Sequence, residues 1–146
     1  MKYIKLLLSA LMPLVFQACV ANQSLSYNDV VKTALIECPG PEMSIQIMPS
    51  RGFIADSLAI SAIKTYGNDG GFSNSFSKFI QSGLKNISLY CANPQKLEAA
   101  LINTFGLYQD NELKGISVCV IGSPNSQELV TKAARIGITV TFAHNK

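Results

Sequence analysis

The alternation of apolar and polar residues along this chain predicts four β-strands. The segments MSIQIM (43–48) and ITVTFA (138–143) alternate with a period of two, which is typical of strands with one buried face. The segments at 87–91 and 116–121 are nearly continuous apolar runs, as strands covered on both faces are. We therefore expect the second and third strands at the centre of a sheet and the other two at or near its edges. The pattern does not determine the strand order.

The segments around these strands carry apolar residues at helical spacing, which predicts helices over 27–37, 54–66 and 74–84. Ser26 or Asn28 is the expected N-cap of the first helix. From residue 86 the chain repeats one plan, in which an apolar strand is followed by a polar loop with a proline and then by an amphipathic helix. This alternation predicts a small α/β domain with a mainly parallel four-stranded sheet, flanked by helices and built on β-loop-α units.

The amino-terminal segment has the organisation of an export signal. Lys2 and Lys5 precede an apolar run over residues 6–16, which is shorter than the roughly 20 residues that a membrane-spanning helix needs. We expect residues 1–21 to form this signal and residues 22–146 to form a single α/β domain with a short amino-terminal tether.

Two modes of cleavage fit this segment. Residues 16–19 read Phe-Gln-Ala-Cys and resemble the lipobox of bacterial lipoproteins, although a leucine is usual at the position of Phe16 and Gln17 is atypical. Cleavage before Cys19 would leave this cysteine as the lipidated amino terminus. Ordinary cleavage after Ala21 is the alternative, and an uncleaved membrane anchor is a third. We favour lipidation, which places the protein in the bacterial cell envelope, anchored in the outer membrane and facing the periplasm. Ordinary cleavage would make it a soluble periplasmic or secreted protein.

Charge excludes one class of partner. The chain has 146 residues, enough for one domain, with 12 basic and 9 acidic residues. Without Lys2 and Lys5, 10 basic residues remain against 9 acidic ones, and they are scattered singly. We therefore expect no nucleic acid among the partners.

The loops at the carboxyl ends of the predicted strands are the candidate ligand-binding rim, because open α/β sheets bind ligands there. Asn93 is an expected N-cap with Pro94 behind it, and Asn125 with Glu128 resembles a capping box. Such helix starts could hold an anion, with Arg51 as its charge partner. Plain helix capping is the interpretation we favour, since these loops contain no phosphate-binding glycine motif. The candidate rim residues are Arg51, Gly52, Cys91, Asn93, Ser123, Asn125 and Ser126.

Three cysteines remain once Cys19 is assigned to a lipid. Strand alternation directs Cys91 and Cys119 to opposite faces, so they cannot bond to each other, and the pair Cys38 and Cys119 is the least excluded. The chain has no CxxC motif. We expect the three cysteines to be mostly reduced and structural.

No catalytic constellation follows from the sequence. His144 is the only histidine and lies in the carboxyl-terminal tail, while Asp56 and Asp69 read as isolated acids. We expect no enzymatic turnover, no metal and no cofactor.

Three functional hypotheses remain open. The favoured one is a non-catalytic envelope lipoprotein that contacts a protein partner, for example in a secretion, conjugation or exclusion assembly. The alternatives are a periplasmic binder of small ligands or anions at the rim, and a thiol-dependent envelope protein that relies on Cys91.

Overall fold

The computed structural model describes residues 24–40 and 43–144, with the backbone only at Met43. The expected signal segment, Cys19 and the cleavage site after Ala21 lie outside these residues. The described part of the chain forms five α-helices and four β-strands in the order α1 (Tyr27–Glu37), β1 (Met43–Met48), α2 (Phe53–Tyr66), α3 (Phe72–Gln81), β2 (Asn86–Cys91), α4 (Pro94–Phe105), β3 (Ser117–Ile121), α5 (Gln127–Ile136) and β4 (Thr139–Ala143).

The four strands form one sheet in the order β1-β2-β3-β4, and every neighbouring pair is parallel. This confirms the predicted α/β class. It also confirms that the two alternating strands lie at the edges and the two apolar strands at the centre. The register pairs Met48 with Cys91 and Ser88 with Cys119, so Cys91 and Cys119 face opposite sides of the sheet, as predicted.

Helices α2 to α5 all pack on one face of the sheet. Parallel strands in sequential order need crossover connections of one hand, which place the connecting helices on the same side. Ile87, Leu89 and Val118 point to this side and belong to the same core cluster as Phe76 and Leu101 of the helices. We call this side of the sheet the four-helix face.

The opposite side, which we call the single-helix face, is covered by α1. Val30 and Ala34 of α1 pack on Tyr90, Ile121 and Ala143, which lie toward the carboxyl ends of their strands. Ser26 caps the helix, since its Oγ accepts a hydrogen bond from the Asp29 N–H at 3.2 Å.

A disulfide between Cys38 and Cys119 joins the end of α1 to the central strand β3, with 5.7 Å between the two Cα atoms. The expectation of mostly reduced cysteines is therefore wrong for this pair, and only Cys91 is a free thiol among the described residues. The bonded pair is the one that strand geometry excluded least. Cysteine burial alone does not indicate a reduced thiol, because both bonded cysteines are themselves buried.

The boundaries of α3 differ from the prediction. The helix covers Phe72–Gln81 rather than 74–84. It begins early because the Asp69 carboxylate accepts hydrogen bonds from the backbone N–H groups of Gly71 and Ser73, both at 3.1 Å. It ends early because Gly83 has a positive φ of 84°, which a continuing helix does not allow. None of the helices in the described residues is long and apolar enough to cross a bilayer.

Candidate functional site

The seven predicted rim residues lie on three neighbouring connections at one end of the sheet. The β1–α2 loop carries Arg51 and Gly52, β2 ends at Cys91 with Asn93 just behind it, and the β3–α5 loop carries Ser123, Asn125 and Ser126. Because β1, β2 and β3 are adjacent and parallel, their carboxyl ends meet at this edge.

Asn93 caps α4 as predicted. Its Oδ1 accepts a hydrogen bond from the Lys96 N–H at 3.2 Å, and Pro94 occupies the first position of the helix. Proline suits that position because its missing N–H would have no partner there. This helix start is therefore satisfied by the chain itself, which weakens the case for an anion above it.

Asn125 does not cap α5, and the predicted Asn125–Glu128 capping box is wrong. The cap is Ser126, whose Oγ accepts from the Leu129 N–H at 3.2 Å and donates to the Glu98 carboxylate. The cap moves by one residue because the Ser126 hydroxyl both caps α5 and ties it to α4. The exposed Asn125 makes no comparable contact.

At the rim, a buried ion pair between Asp56 and Lys96 connects the start of α2 to the start of α4. The Asp56 side chain is 1% exposed and accepts hydrogen bonds from Ser50 Oγ at 2.5 Å, from the Arg51 N–H at 3.1 Å and from Lys96 Nζ at 3.0 Å. Lys96 Nζ also donates to the carbonyl oxygen of Pro49 at 2.7 Å. The pair thus fixes the β1–α2 loop on α4, while the Arg51 side chain remains exposed.

The pKa of Asp56 reflects this environment. Burial raises the pKa, but the hydrogen bonds from Ser50, Lys96 and Arg51 and the charge of Lys96 together lower it to about 2. A carboxylate with so low a pKa is a weak general base near neutral pH. The arrangement therefore suits a structural ion pair better than proton transfer.

Cys91 is buried beside this pair. Burial raises the pKa of its thiol, against the weaker opposing effects of the Asn93 backbone hydrogen bond and the Lys96 charge. Because the thiolate is the reactive form, a buried thiol with a raised pKa is a poor nucleophile.

Ser123 is the rim residue whose polar atom is left unsatisfied. Its side chain is buried, and its Oγ has no hydrogen-bond partner within the described residues. It borders a small cavity of about 30 Å³ between the starts of α4 and α5. A cavity of this volume has room for one water-sized molecule and is too small for a substrate.

The larger concavity lies on the outer surface of α4 between α2 and α5, and it shares Gln95 and Glu98 with the small cavity at the rim. This groove has a volume of about 740 Å³. Apolar side chains form part of its lining, and Lys64, Glu98 and Glu128 add charges of both signs. Its lining residues are Ile60, Ile63, Lys64, Gln95, Glu98, Ala99, Ile102, Asn103 and Glu128.

The sequence reasoning missed both the groove and the ion pair. Asp56 was interpreted as an isolated acid, although it shares one helical face with Ala59 and Ile63, at spacings of three and seven residues. That spacing could have predicted its burial and hence its need for a partner. Lys96 lies 40 residues away along the chain, and nothing in the sequence pairs the two.

No family model matches this chain, and no curated protein or solved structure is significantly similar to it. Among residues 24–40 and 43–144, no group of three or more histidine, cysteine or acidic side chains is placed to hold a metal ion.

Proposed function

We propose that this chain is a non-catalytic bacterial cell-envelope lipoprotein that acts through protein–protein contacts, for example within a secretion, conjugation or exclusion assembly. The anchor is a lipid on Cys19, in the outer membrane and facing the periplasm. The support for export is the order of basic residues, short apolar run and small residues in the amino-terminal segment.

The observation that carries most of this proposal is the disulfide between Cys38 and Cys119. Structural disulfides persist in oxidising compartments such as the periplasm and are rare in the cytosol. The bond thus supports export independently of the leader sequence, because it involves neither Cys19 nor any residue near it.

The satisfied and buried groups of the rim support a role in protein–protein contact rather than in enzymatic turnover. Its ion pair is satisfied internally, its thiol is buried, and two of its three helix starts are capped, by Asn93 and Ser126. Helix α2 begins after Gly52 without a side-chain cap. The satisfied and buried groups count against the thiol-dependent and the rim-binding alternatives alike.

The groove between α2 and α5 is the surface that we assign to the protein partner. It combines apolar side chains such as Ile60 and Ile102 with charges of both signs at Lys64 and Glu128, as an interface with a polar rim does. Its volume also lies within the 300–1,000 Å³ typical of small-ligand sites. A small-ligand binder that uses this groove is therefore the second candidate function.

Photo-crosslinking in living cells tests the proposal. A photoreactive amino acid in place of Lys64 lies in the groove, and the same replacement at Lys78, an exposed lysine of α3 that does not line the groove, is the matched control. We expect an adduct of defined mass from position 64, none from position 78, and loss of the adduct when Cys19→Ser removes the anchor.

Two results would contradict the proposal. One is the absence of any adduct at position 64 while the protein is membrane-bound. The other is an unchanged adduct in the Cys19→Ser protein, which would show that the contact does not depend on the anchor. A small molecule that co-purifies with the protein in native mass spectrometry would favour the ligand-binding function instead.

A further inference from the structure

We infer that the carboxyl end of the sheet lies against the lipid bilayer that holds the anchor, with Phe53 and Ile54 in contact with the lipid. This inference rests on the proposed lipidation of Cys19 and adds an orientation to it. The partner surface it names is the membrane itself, at the boundary between headgroups and acyl chains.

The chain enters the domain beside Tyr90 and Gly122. The backbone N–H of Leu25 donates to the hydroxyl of Tyr90 at 2.6 Å, and the Leu25 side chain lies against Gly122. Tyr90 is the penultimate residue of β2 and Gly122 follows the end of β3. The amino-terminal segment therefore joins the domain at the carboxyl end of the sheet.

The link between the proposed anchor and the domain is short. Only residues 20–24 separate Cys19 from Leu25. Six Cα–Cα steps span at most about 20 Å when fully extended, which is about the length of one strand of the sheet. A lipid on Cys19 would therefore keep the carboxyl end of the sheet within about 20 Å of the bilayer.

The carboxyl end of the sheet exposes large apolar side chains. Helix α2 begins directly after the β1–α2 loop with Phe53 and Ile54, which are 84% and 76% exposed. Tyr27, the first residue of α1, lies at the same end and is 70% exposed. Aromatic and aliphatic side chains exposed toward a bilayer are typical of residues that sit in the membrane interface.

The charged residues at the carboxyl end of the sheet indicate which headgroups the contact needs. Arg51 is an exposed cation beside Phe53, but the exposed acids Asp29 and Glu128 lie in the first turns of α1 and α5 at the same end. Among residues 24–40 and 43–144, this end has no basic cluster of the kind that recognises anionic headgroups. The contact therefore depends on apolar insertion, and zwitterionic phospholipid should suffice.

Tryptophan fluorescence tests the orientation, because the chain contains no tryptophan. Phe53→Trp places a single reporter at the proposed contact. Tyr66→Trp is the matched control, since Tyr66 is also 84% exposed but lies at the other end of the same helix. The mature lipidated protein is reconstituted in phosphatidylcholine vesicles, with and without bromine on the acyl chains.

We expect the Phe53→Trp emission to shift to shorter wavelength in vesicles and to fall at least twofold with brominated lipid. The Tyr66→Trp emission should change in neither respect. Equal behaviour of the two reporters would overturn the orientation, as would a Phe53→Trp shift that brominated lipid does not quench, which would indicate that protein covers this end.

The same samples distinguish failure of the orientation from failure of the anchor. Intact mass shows whether Cys19 carries a diacylglycerol. A lipidated protein without quenching refutes the orientation alone. A mature chain without lipid refutes the proposed anchor and, with it, the orientation.

Discussion

The two faces of the sheet are filled in different ways. On the four-helix face, large side chains such as Phe76, Phe105 and Leu101 are fully buried between the helices and the strands. On the single-helix face, α1 buries a smaller cluster around Val30 and Ala34. The disulfide to Cys119 is on this smaller side.

The difference teaches where each face obtains its stability. Burial of apolar surface stabilises the four-helix face, since each fully buried large side chain contributes about 1.5–3 kcal/mol. Helix α1 has 11 residues, which is too short to be stable alone, and its cluster is small. A covalent bond at the end of α1 compensates for this by holding the helix on the sheet.

The largest expected effect is at the centre of the four-helix face. Val118→Asp should abolish folding, because it leaves an unpaired charge among fully buried side chains, at a cost of several kcal/mol. Val130→Asp, at an exposed position of α5, should change the free energy of unfolding by less than about 0.5 kcal/mol. Thermal melts followed by circular dichroism check both variants. A cooperative melt of the Val118→Asp protein would contradict this account of the core.

Removal of the disulfide should have the next largest effect. The bond closes a separation of 81 residues, for which chain entropy gives about 4.5 kcal/mol as an upper value. In a Cys38→Ala/Cys119→Ala protein, hydrogen exchange should accelerate first at the amides of α1, while α4 stays protected. Cys91→Ala leaves the bond intact and is the control. Equal loss of protection in α1 and α4 would show that the two faces do not differ as described.

At the rim, Lys96→Met should lower the free energy of unfolding by about 3 kcal/mol or more. The substitution leaves the buried Asp56 carboxylate without its charge partner. Replacing both members, with Asp56→Leu in addition, should restore most of this loss in urea unfolding experiments. If Lys96→Met alone is as stable as the unaltered protein, the pair does not fix the β1–α2 loop on α4.

The smallest expected effect is on the pH dependence of the free energy of unfolding. Asp56 has a folded pKa of about 2 against an ordinary value of 3.8, so the folded protein binds this proton less readily than the unfolded chain. Its contribution of about 2 kcal/mol should be complete above pH 5 and disappear as the pH falls toward 2. Asp56→Asn should flatten this part of the stability profile. Asp110→Asn, at an exposed ion pair with Arg135, should retain the slope. Identical profiles for the two variants would count against the assignment.

Most of the fold could be predicted because the spacing of apolar and polar residues indicates which segments form strands and which form helices. The two alternating strands lie at the edges and the two apolar strands at the centre, where strands are covered on both faces. The sequential strand order could not be predicted, since it depends on how the helices pack together. The pairing of Asp56 with Lys96 joins residues 40 positions apart, which no local pattern indicates. For Cys38 and Cys119, 81 positions apart, strand geometry left the pair possible but did not show that the bond forms.

The sequence predicted where the rim residues lie but not which contacts they make. The rim residues do lie at one end of the sheet, and Asn93 caps α4. Yet Ser126 rather than Asn125 caps α5, because a hydroxyl next to Glu98 satisfies two helices at once. The groove escaped prediction because it is formed by three helices whose packing the sequence pattern does not give.

Intact mass combined with thiol counting on protein purified from cells tests the central claim most directly. Helix α1 lies between two cysteines with different proposed fates, a lipid on Cys19 and a disulfide at Cys38. We expect a mature chain that begins at Cys19 with a diacylglycerol attached. After denaturation without reductant, one thiol, that of Cys91, should be alkylated, and after reduction three should be. A mature chain that begins at Asn22, or three alkylated thiols without reduction, would contradict the account.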